Sequence, residues 1–253
     1  MGDPSFLLHV YIFVLGLCVG SFLNVVIYRL PNNQSIVSPG SHCPDCGAPV
    51  RARDNIPLLS WLFLFGLCRD CGVVIPFRYF FVELVTGLLT LAVVTRFGVT
   101  LSALFYLLLA WALIAVTFID LNFQIIPDEL TVGAAALGLA VSFLTPLGIK
   151  GALLGLGVGG GIFFSLAIIY PGGMGGGDIK LMAAIGAFTG WKLALLTIFT
   201  SSLLGAVVGI MSMAFYGKSR KDRIPFGPFL SAGALISILW GDTMIAAYLN
   251  MIL

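Results

Sequence analysis

Apolar runs long enough to cross a bilayer follow one another along almost the whole of this chain. Crossing ~30 Å of hydrocarbon takes about 20 apolar residues as a helix. Runs that reach or approach this length lie at 6–28, 78–95, 101–119, 129–145, 150–170, 179–190, 193–216 and 228–252. In lipid, backbone polar groups must be satisfied within the spanning structure itself. The runs therefore predict an all-α polytopic membrane protein of about eight transmembrane helices, the sixth of them short. Only 9% of the residues are charged, against roughly 25% in a soluble domain. Most of the polar residues collect in one insertion, 31–77, between the first two runs. A net charge of +2 gives no case for a nucleic-acid partner, and membrane lipids are the expected surroundings. No basic residue precedes the first run and no A-x-A site follows it. That run is expected to be a retained span rather than a cleaved signal.

Lysine and arginine near span ends orient such a bundle, because the cytoplasmic side collects them. One side gathers Arg29, Arg51, Arg53, Arg69, Arg78, Lys180, Lys218, Arg220, Lys221 and Arg223. The other has Arg96, Lys150 and Lys192. The bias places the 31–77 insertion, the loop after the third span, the glycine-rich loop near 175 and the loop 217–227 in the cytoplasm. Both termini then face outward.

The insertion carries CPDCG at 43–47 and CRDCG at 68–72. Two thiolates from each C-x-x-C turn suit a tetrahedral Zn2+, and a glycine after each pair lets the backbone fold behind it. Cys43, Cys46, Cys68 and Cys71 are the expected metal ligands. Disulfides are the competing reading, which a reducing cytoplasm disfavours. Four cysteines close the coordination shell, so the metal is expected to be structural. Cys18, inside the first run, is expected to pack as a small residue. His42 is read as a polar loop residue and His9 as an interfacial one. The segment 58–67 is apolar but too short to span; it is expected either in the interface, with Trp61 at headgroup depth, or packed on the bundle.

Among the eleven acidic residues, solvation accounts for Asp3, Asp45, Asp54, Asp70, Asp222 and Asp242. Glu83, Asp120, Asp128, Glu129 and Asp178 remain. Asp120 closes the apolar run WALIAVTFID and Asp178 opens the run IKLMAAIGAF. An ionisable residue at a span is costly, and function is the usual reason for it. The plain alternative is a helix-end charge, and Asp178 suits an N-terminal cap. The run GGMGGGD at 172–178 tips the balance. A cap needs one small residue, whereas a stretch without Cβ atoms lets backbone pass close to another chain. A flexible linker is the remaining alternative. Two carboxylates brought together can divide acid and base work, one ionised and one protonated. No convincing Ser–His or Cys–His arrangement competes, and there is no H-E-x-x-H.

GSFLNVVIYRLP at 20–31, the paired knuckles, FIDLNFQIIPDELT at 118–131, GMGGGDIKL at 173–181 and IPFGPFLSAG at 224–233 resemble the type IV prepilin peptidases. These are membrane aspartic peptidases of the GxGD type. The resemblance runs from about residue 16 to about residue 233. It implies an endopeptidase that cuts the leader from type IV prepilins and pseudopilins after a glycine, at the cytoplasmic face of the bacterial inner membrane. It implies catalytic roles for Asp120 and Asp178. It also implies N-methylation of the new N-terminus with S-adenosylmethionine, a role of the N-terminal region with the cysteines. The expected division is then a methyltransferase-associated part, 1–77, and a peptidase core, 78–253. No methyl-donor fold is recognisable; Asn24, Arg29, Arg78 and Glu83 are candidate polar residues, with an arginine ion pair the plainer reading of Glu83. Lys180 is expected to reach for headgroups. The substrate helix is expected to lie between spans.

An ion-coupled transporter is the alternative, since carriers also use paired membrane acids and glycine-broken helices. Carriers place such sites near the midplane, however, whereas these acids lie at span ends. A zinc-ribbon assembly factor would leave the glycine–aspartate loop without a use. A presenilin-like protease would lack the knuckles.

Overall fold

A computed structural model describes residues 4–216 and 224–252. The basic residues Lys218, Arg220, Lys221 and Arg223, and the acids Asp3 and Asp222, lie outside the described residues. Two compact units divide the chain, Met1–Val99 and Thr100–Leu253.

The first unit holds α1 (Pro4–Arg29), the short α2 (Leu59–Phe63) and α3 (Arg78–Phe97). Helices α1 and α3 lie antiparallel, and small residues set their separation. A Cβ on Gly16 would sit 2.7 Å from Thr90 Cβ, and one on Gly20 would sit 2.7 Å from Glu83 Cα. The Gly-x-x-x-Gly spacing puts both glycines on one face, as in close helix pairs in membranes. Thr86 and Thr90 face this seam and donate back to the carbonyls of Val82 and Thr86, at 2.6 and 2.7 Å. Because α3 packs on α1, the unit extends to Val99, one helix beyond the division expected at residue 77. Cys18 is exposed on α1 rather than packed.

The second unit holds α4 (Leu101–Phe123), α5 (Asp128–Ser142), α6 (Gly148–Ile169), α7 (Gly176–Tyr216) and α8 (Gly227–Ile252). Thr100 caps α4 by accepting from Ala103 N–H at 3.1 Å. Gly190, with φ 75° and ψ 172°, is not helical, so α7 is two helices that meet there, matching the sixth and seventh expected spans. Among the described residues, six helices are long and apolar enough to cross a membrane when the two parts of α7 are taken as one. Taken separately they make seven of the eight expected. The eighth is α5, whose 15 residues reach only ~22 Å at 1.5 Å per residue. Among the described residues there is no strand, only the isolated bridges His42–Pro49 and Leu67–Val74.

Helices α6 and α7 cross at glycines. The backbone of Gly155 meets that of Gly186 with no room for a Cβ on either, and Gly159 lies against the Met182 carbonyl. On the other side of α7, Phe188 stacks on Phe105 of α4 at 4.3 Å and fills the space left by Gly138 of α5. Both Phe188 and Ile185 are essentially inaccessible. This packing sets the part of α7 before Gly190 against α4 and α5.

The crossing makes a testable contrast. Gly155→Val forces backbone apart and should destabilise by about 1–3 kcal/mol or more, read as a lower thermal midpoint of the purified protein. Gly157→Val, whose Cβ meets nothing, should leave the midpoint no lower.

Candidate active site and metal centre

Two carboxylates and two helix starts meet at one cavity in the second unit. Its volume is about 740 Å3, and its lining includes Asp120, Ile126, Asp178 and Phe226 together with the glycine segment 172–177. Asp120 lies in the last turn of α4, 5% exposed. Its Oδ2 accepts from Gly227 N–H at 2.9 Å, a buried bond. Gly227 is the first residue of α8, whose first N–H groups have no partner within their own helix. The carboxylate of one helix thus caps the start of another. A Cβ on Gly227 would fall 2.7 Å from Asp120 Oδ2, so only glycine allows the approach.

Asp178 stands in the first turn of α7. Its Oδ2 accepts from Gly175 N–H at 3.3 Å, while its own N–H donates to the Gly175 carbonyl at 3.1 Å. The bond from Gly175 N–H to the Asp178 carboxylate is one half of a capping box; glycine has no side chain to make the other half. The cap and the cavity position are the same place, so the two readings of Asp178 are compatible. The glycine run divides by use. Gly177 passes Ile126, where a Cβ would meet Ile126 Cβ at 2.8 Å, and Gly172 takes φ +81°. Gly176 meets nothing.

Lys180, expected at headgroups, instead grips Asp128 with Nζ 2.7 and 2.8 Å from its two oxygens. That pair ties the first turn of α7 to the first turn of α5. Neither this pair nor Gly227 follows from local sequence pattern. Asp128 and Lys180 are 52 residues apart, and the helix start in IPFGP was the one visible hint of Gly227.

In the first unit the two knuckles fold alike. Cys43 N–H donates to Ala48 O and Gly47 N–H to Cys43 O; Cys68 N–H donates to Val73 O and Gly72 N–H to Cys68 O, all at 2.8–2.9 Å. Gly47 and Gly72 both take φ +72°. The four Sγ atoms lie within 4.8 Å of one another, and Cys43 Sγ is 3.8 Å from Cys71 Sγ. Four sulfurs at ~2.3 Å from a tetrahedral zinc would be ~3.8 Å apart. All five cysteines are free thiols, which sets the disulfide reading aside. The backbone N–H groups of Cys71 and Asp70 draw the Cys68 thiol down to about 7. The Val73 N–H also favours a thiolate at Cys71, yet burial and the crowding of Cys46, Cys68 and Cys43 push that thiol up to about 12. Four crowded thiols need a cation to ionise together, so this cluster could hold a metal. His42 Nδ1 turns to the Gly40 carbonyl at 3.0 Å and is not part of the cluster.

The other named polar residues gather where α1 ends and α3 begins. Arg29 is buried and donates to the carbonyls of Ser35 and Gly40 at 3.0 and 3.2 Å. Asn24 Nδ2 donates to Tyr79 O at 3.0 Å. Arg78 lies over the Tyr79 ring at 5.3 Å. Glu83 Oε2 accepts from Leu58 N–H at 2.8 Å, and the carboxylate also accepts from the Ser21 hydroxyl; these bonds replace the arginine pair expected for it. Trp61 packs on Phe77 and Phe80 and donates to Ile75 O at 3.2 Å, so the segment 58–67 is held to the start of α3.

Residues 14–97 match the bacterial peptidase A24 N-terminal domain, and residues 107–210 match the type IV leader peptidase family. A prepilin leader peptidase/N-methyltransferase of Aeromonas salmonicida is 38% identical, with 96% of this chain and 94% of the relative covered. The chain belongs to the type IV leader peptidase family. The similarly named protein of Stutzerimonas stutzeri is 40% identical over 94% of this chain and 92% of its own length. That of Myxococcus xanthus is 46% identical over 84% of this chain and 65% of its own. No solved structure matches. The leader peptidase match contains Asp120, Asp128, Asp178 and Lys180, while Gly227 lies beyond it.

Outside the spans, Arg69 grips Asp54 through Nε at 2.8 Å and Nη2 at 2.6 Å. This bond holds the Asp54 carboxyl below the usual carboxylate range. A lowered carboxylate stabilises above its ordinary value, and the contribution disappears as pH falls through the folded value. Protease nicking of the insertion should therefore be faster in Asp54→Asn than in wild type at pH 7. The difference should begin to shrink below about pH 4 and vanish only once pH has fallen past the lowered folded value.

Proposed function

We propose that this chain cuts the leader from type IV prepilins and pseudopilins after a glycine, with Asp120 and Asp178 as its catalytic pair, and then N-methylates the new N-terminus. One observation carries the peptidase reading: the two carboxylates line a single cavity at the ends of their helices. The family match and the names of the relatives support the same reading over the transporter.

The cavity suits peptide hydrolysis. Two facing carboxylates hold one proton between them. The ionised member takes a proton from water as the water attacks. The protonated member donates to the scissile carbonyl oxygen; as the C–N bond breaks, the proton taken from water passes to the leaving amine and the diol returns a proton to the second carboxylate. Gly227 N–H holds Asp120 Oδ2, so the other oxygen of Asp120 is left for the water or the carbonyl. Gly175 N–H holds Asp178 in the same way. Ile126 and Phe226 line the cavity and limit water around the reacting bond. The glycine segment offers backbone that an extended substrate can approach closely.

In the first unit, Cys43, Cys46, Cys68 and Cys71 would hold Zn2+. Four thiolates leave no position for water, so the metal would supply folding free energy rather than chemistry. S-adenosylmethionine would supply the methyl group. We assign the methyltransferase role to the unit that holds the cysteines, Met1–Val99, and the peptidase role to the unit that holds the aspartates, Thr100–Leu253. The excess of Lys and Arg puts the insertion and the aspartates at the cytoplasmic face of the inner membrane. A prepilin would meet them there, its basic leader in the cytoplasm and its apolar helix between spans.

Single-turnover processing of a prepilin in liposomes, with S-adenosylmethionine present, tests these roles together. Asp120→Asn and Asp178→Asn should each slow leader removal by ~10²–10⁴-fold with bound zinc unchanged. Cys43→Ser should still cut, with its bound zinc and its methylated product both lost. Wild-type cutting by either aspartate variant would remove the catalytic pair.

A further inference from the structure

Glu83 is a buried negative charge whose charge has no use in the fold. It is 9% exposed and stands five residues into α3, which puts it about 7–8 Å along the helix. Such a carboxylate is costly in a membrane unless a cation meets it. Among the described residues no lysine, arginine or histidine lies within ion-pairing distance of Glu83. Its known partners are neutral: Leu58 N–H at 2.8 Å and the Ser21 hydroxyl. Leu58 takes φ +61°, so the bond helps hold a strained turn. A glutamine would accept that N–H equally well. An ionised carboxylate has about four acceptor positions, and these two donors leave about half of them open.

A second acceptor without a donor lies alongside. Asn24 is 2% exposed, and its Oδ1 has no hydrogen-bond partner. The antiparallel seam puts it near Glu83. Gly20 packs on the Cα of Glu83; one turn along α1, Asn24 reaches Tyr79, one turn back along α3. Two buried acceptors, one of them charged, lack a donor with positive charge. A primary ammonium supplies both charge and three N–H groups.

We propose that Glu83 and Asn24 form the binding site for the free N-terminal ammonium of the trimmed substrate. This rests on the methyltransferase half of the proposed function. The depth fits, because cutting leaves that amine at the start of an apolar helix, near the membrane surface. Before methyl transfer the ammonium loses one proton, for which Glu83 is the acceptor within reach. The nitrogen lone pair then forms the C–N bond. The C–S bond of the sulfonium donor breaks, and its electron pair returns to sulfur as a neutral thioether.

The test uses the full chain in lipid nanodiscs and a labelled peptide with the sequence of a leaderless pilin N-terminus. Binding is read by fluorescence anisotropy without methyl donor, for the free amine and its N-acetylated form. Wild type should prefer the free amine by at least ~10-fold, the worth of one charge-assisted contact. Glu83→Gln should bring that ratio close to one. With donor added, it should raise the KM for the peptide and leave the KM for the donor unchanged. Asn24→Ser, with Tyr79 still able to find a donor, should lower the ratio several-fold and serves if Glu83→Gln fails to fold. A wild type that binds both peptides equally, or a folded Glu83→Gln that keeps the preference, overturns the proposal. A wild type that prefers the free amine but transfers no methyl group would instead overturn the methyltransferase reading on which it rests.

Discussion

Hydrocarbon offers no water to satisfy a polar group, and most of this chain is built under that constraint. The threonines of α3, α4 and α7 return their hydroxyls to carbonyls one turn back. Helices approach through glycine, so backbone meets backbone without side chains between. Three carboxylates at span ends are held by backbone N–H rather than by a counter-ion. Gly227 holds Asp120, Gly175 holds Asp178 and Leu58 holds Glu83. Backbone donors fix a carboxylate's direction without neutralising it. A carboxylate held this way keeps its charge available to a ligand.

The aspartate cavity depends on three helix ends arriving together. Asp120 is delivered by the end of α4, Asp178 by the start of α7, and the N–H that holds Asp120 by the start of α8. Phe188 fixes α7 against α4 and α5, and the glycine crossing fixes it against α6. The Lys180–Asp128 pair adds a tie between the starts of α7 and α5. Exposed pairs of this kind contribute little to stability, so its value is geometric: it sets the start of α7 against the loop carrying Ile126.

Much of this was legible in the sequence because hydropathy and local pattern decide it. The long spans, the two knuckles and the two aspartates are all of that kind. The bend at Gly190 was visible as a gap between two short runs. What was hidden involved partners far apart in sequence. Nothing near Lys180 points to Asp128, and nothing near Glu83 points to Leu58. The glycine run could be seen, but not which of its members matter; that depends on what lies opposite each one. Gly177 faces Ile126 and Gly176 faces open space. The choice between cap and site at Asp178 was likewise unreadable, because a helix start that points into a cavity makes the two roles one.

The central claim is that Cβ-free backbone at the start of α8 sets the position of Asp120. Leader cutting by Gly227→Ala and Gly176→Ala, measured on enzyme with normal thermal midpoint and zinc content, tests it most directly. A methyl at 227 would press on Asp120 Oδ2, whereas one at 176 would meet nothing. Displacing a reacting group by about 1 Å can cost on the order of 10²-fold. Gly227→Ala should lose activity on that scale while Gly176→Ala stays close to wild type. Equal activity in the two variants would contradict the account.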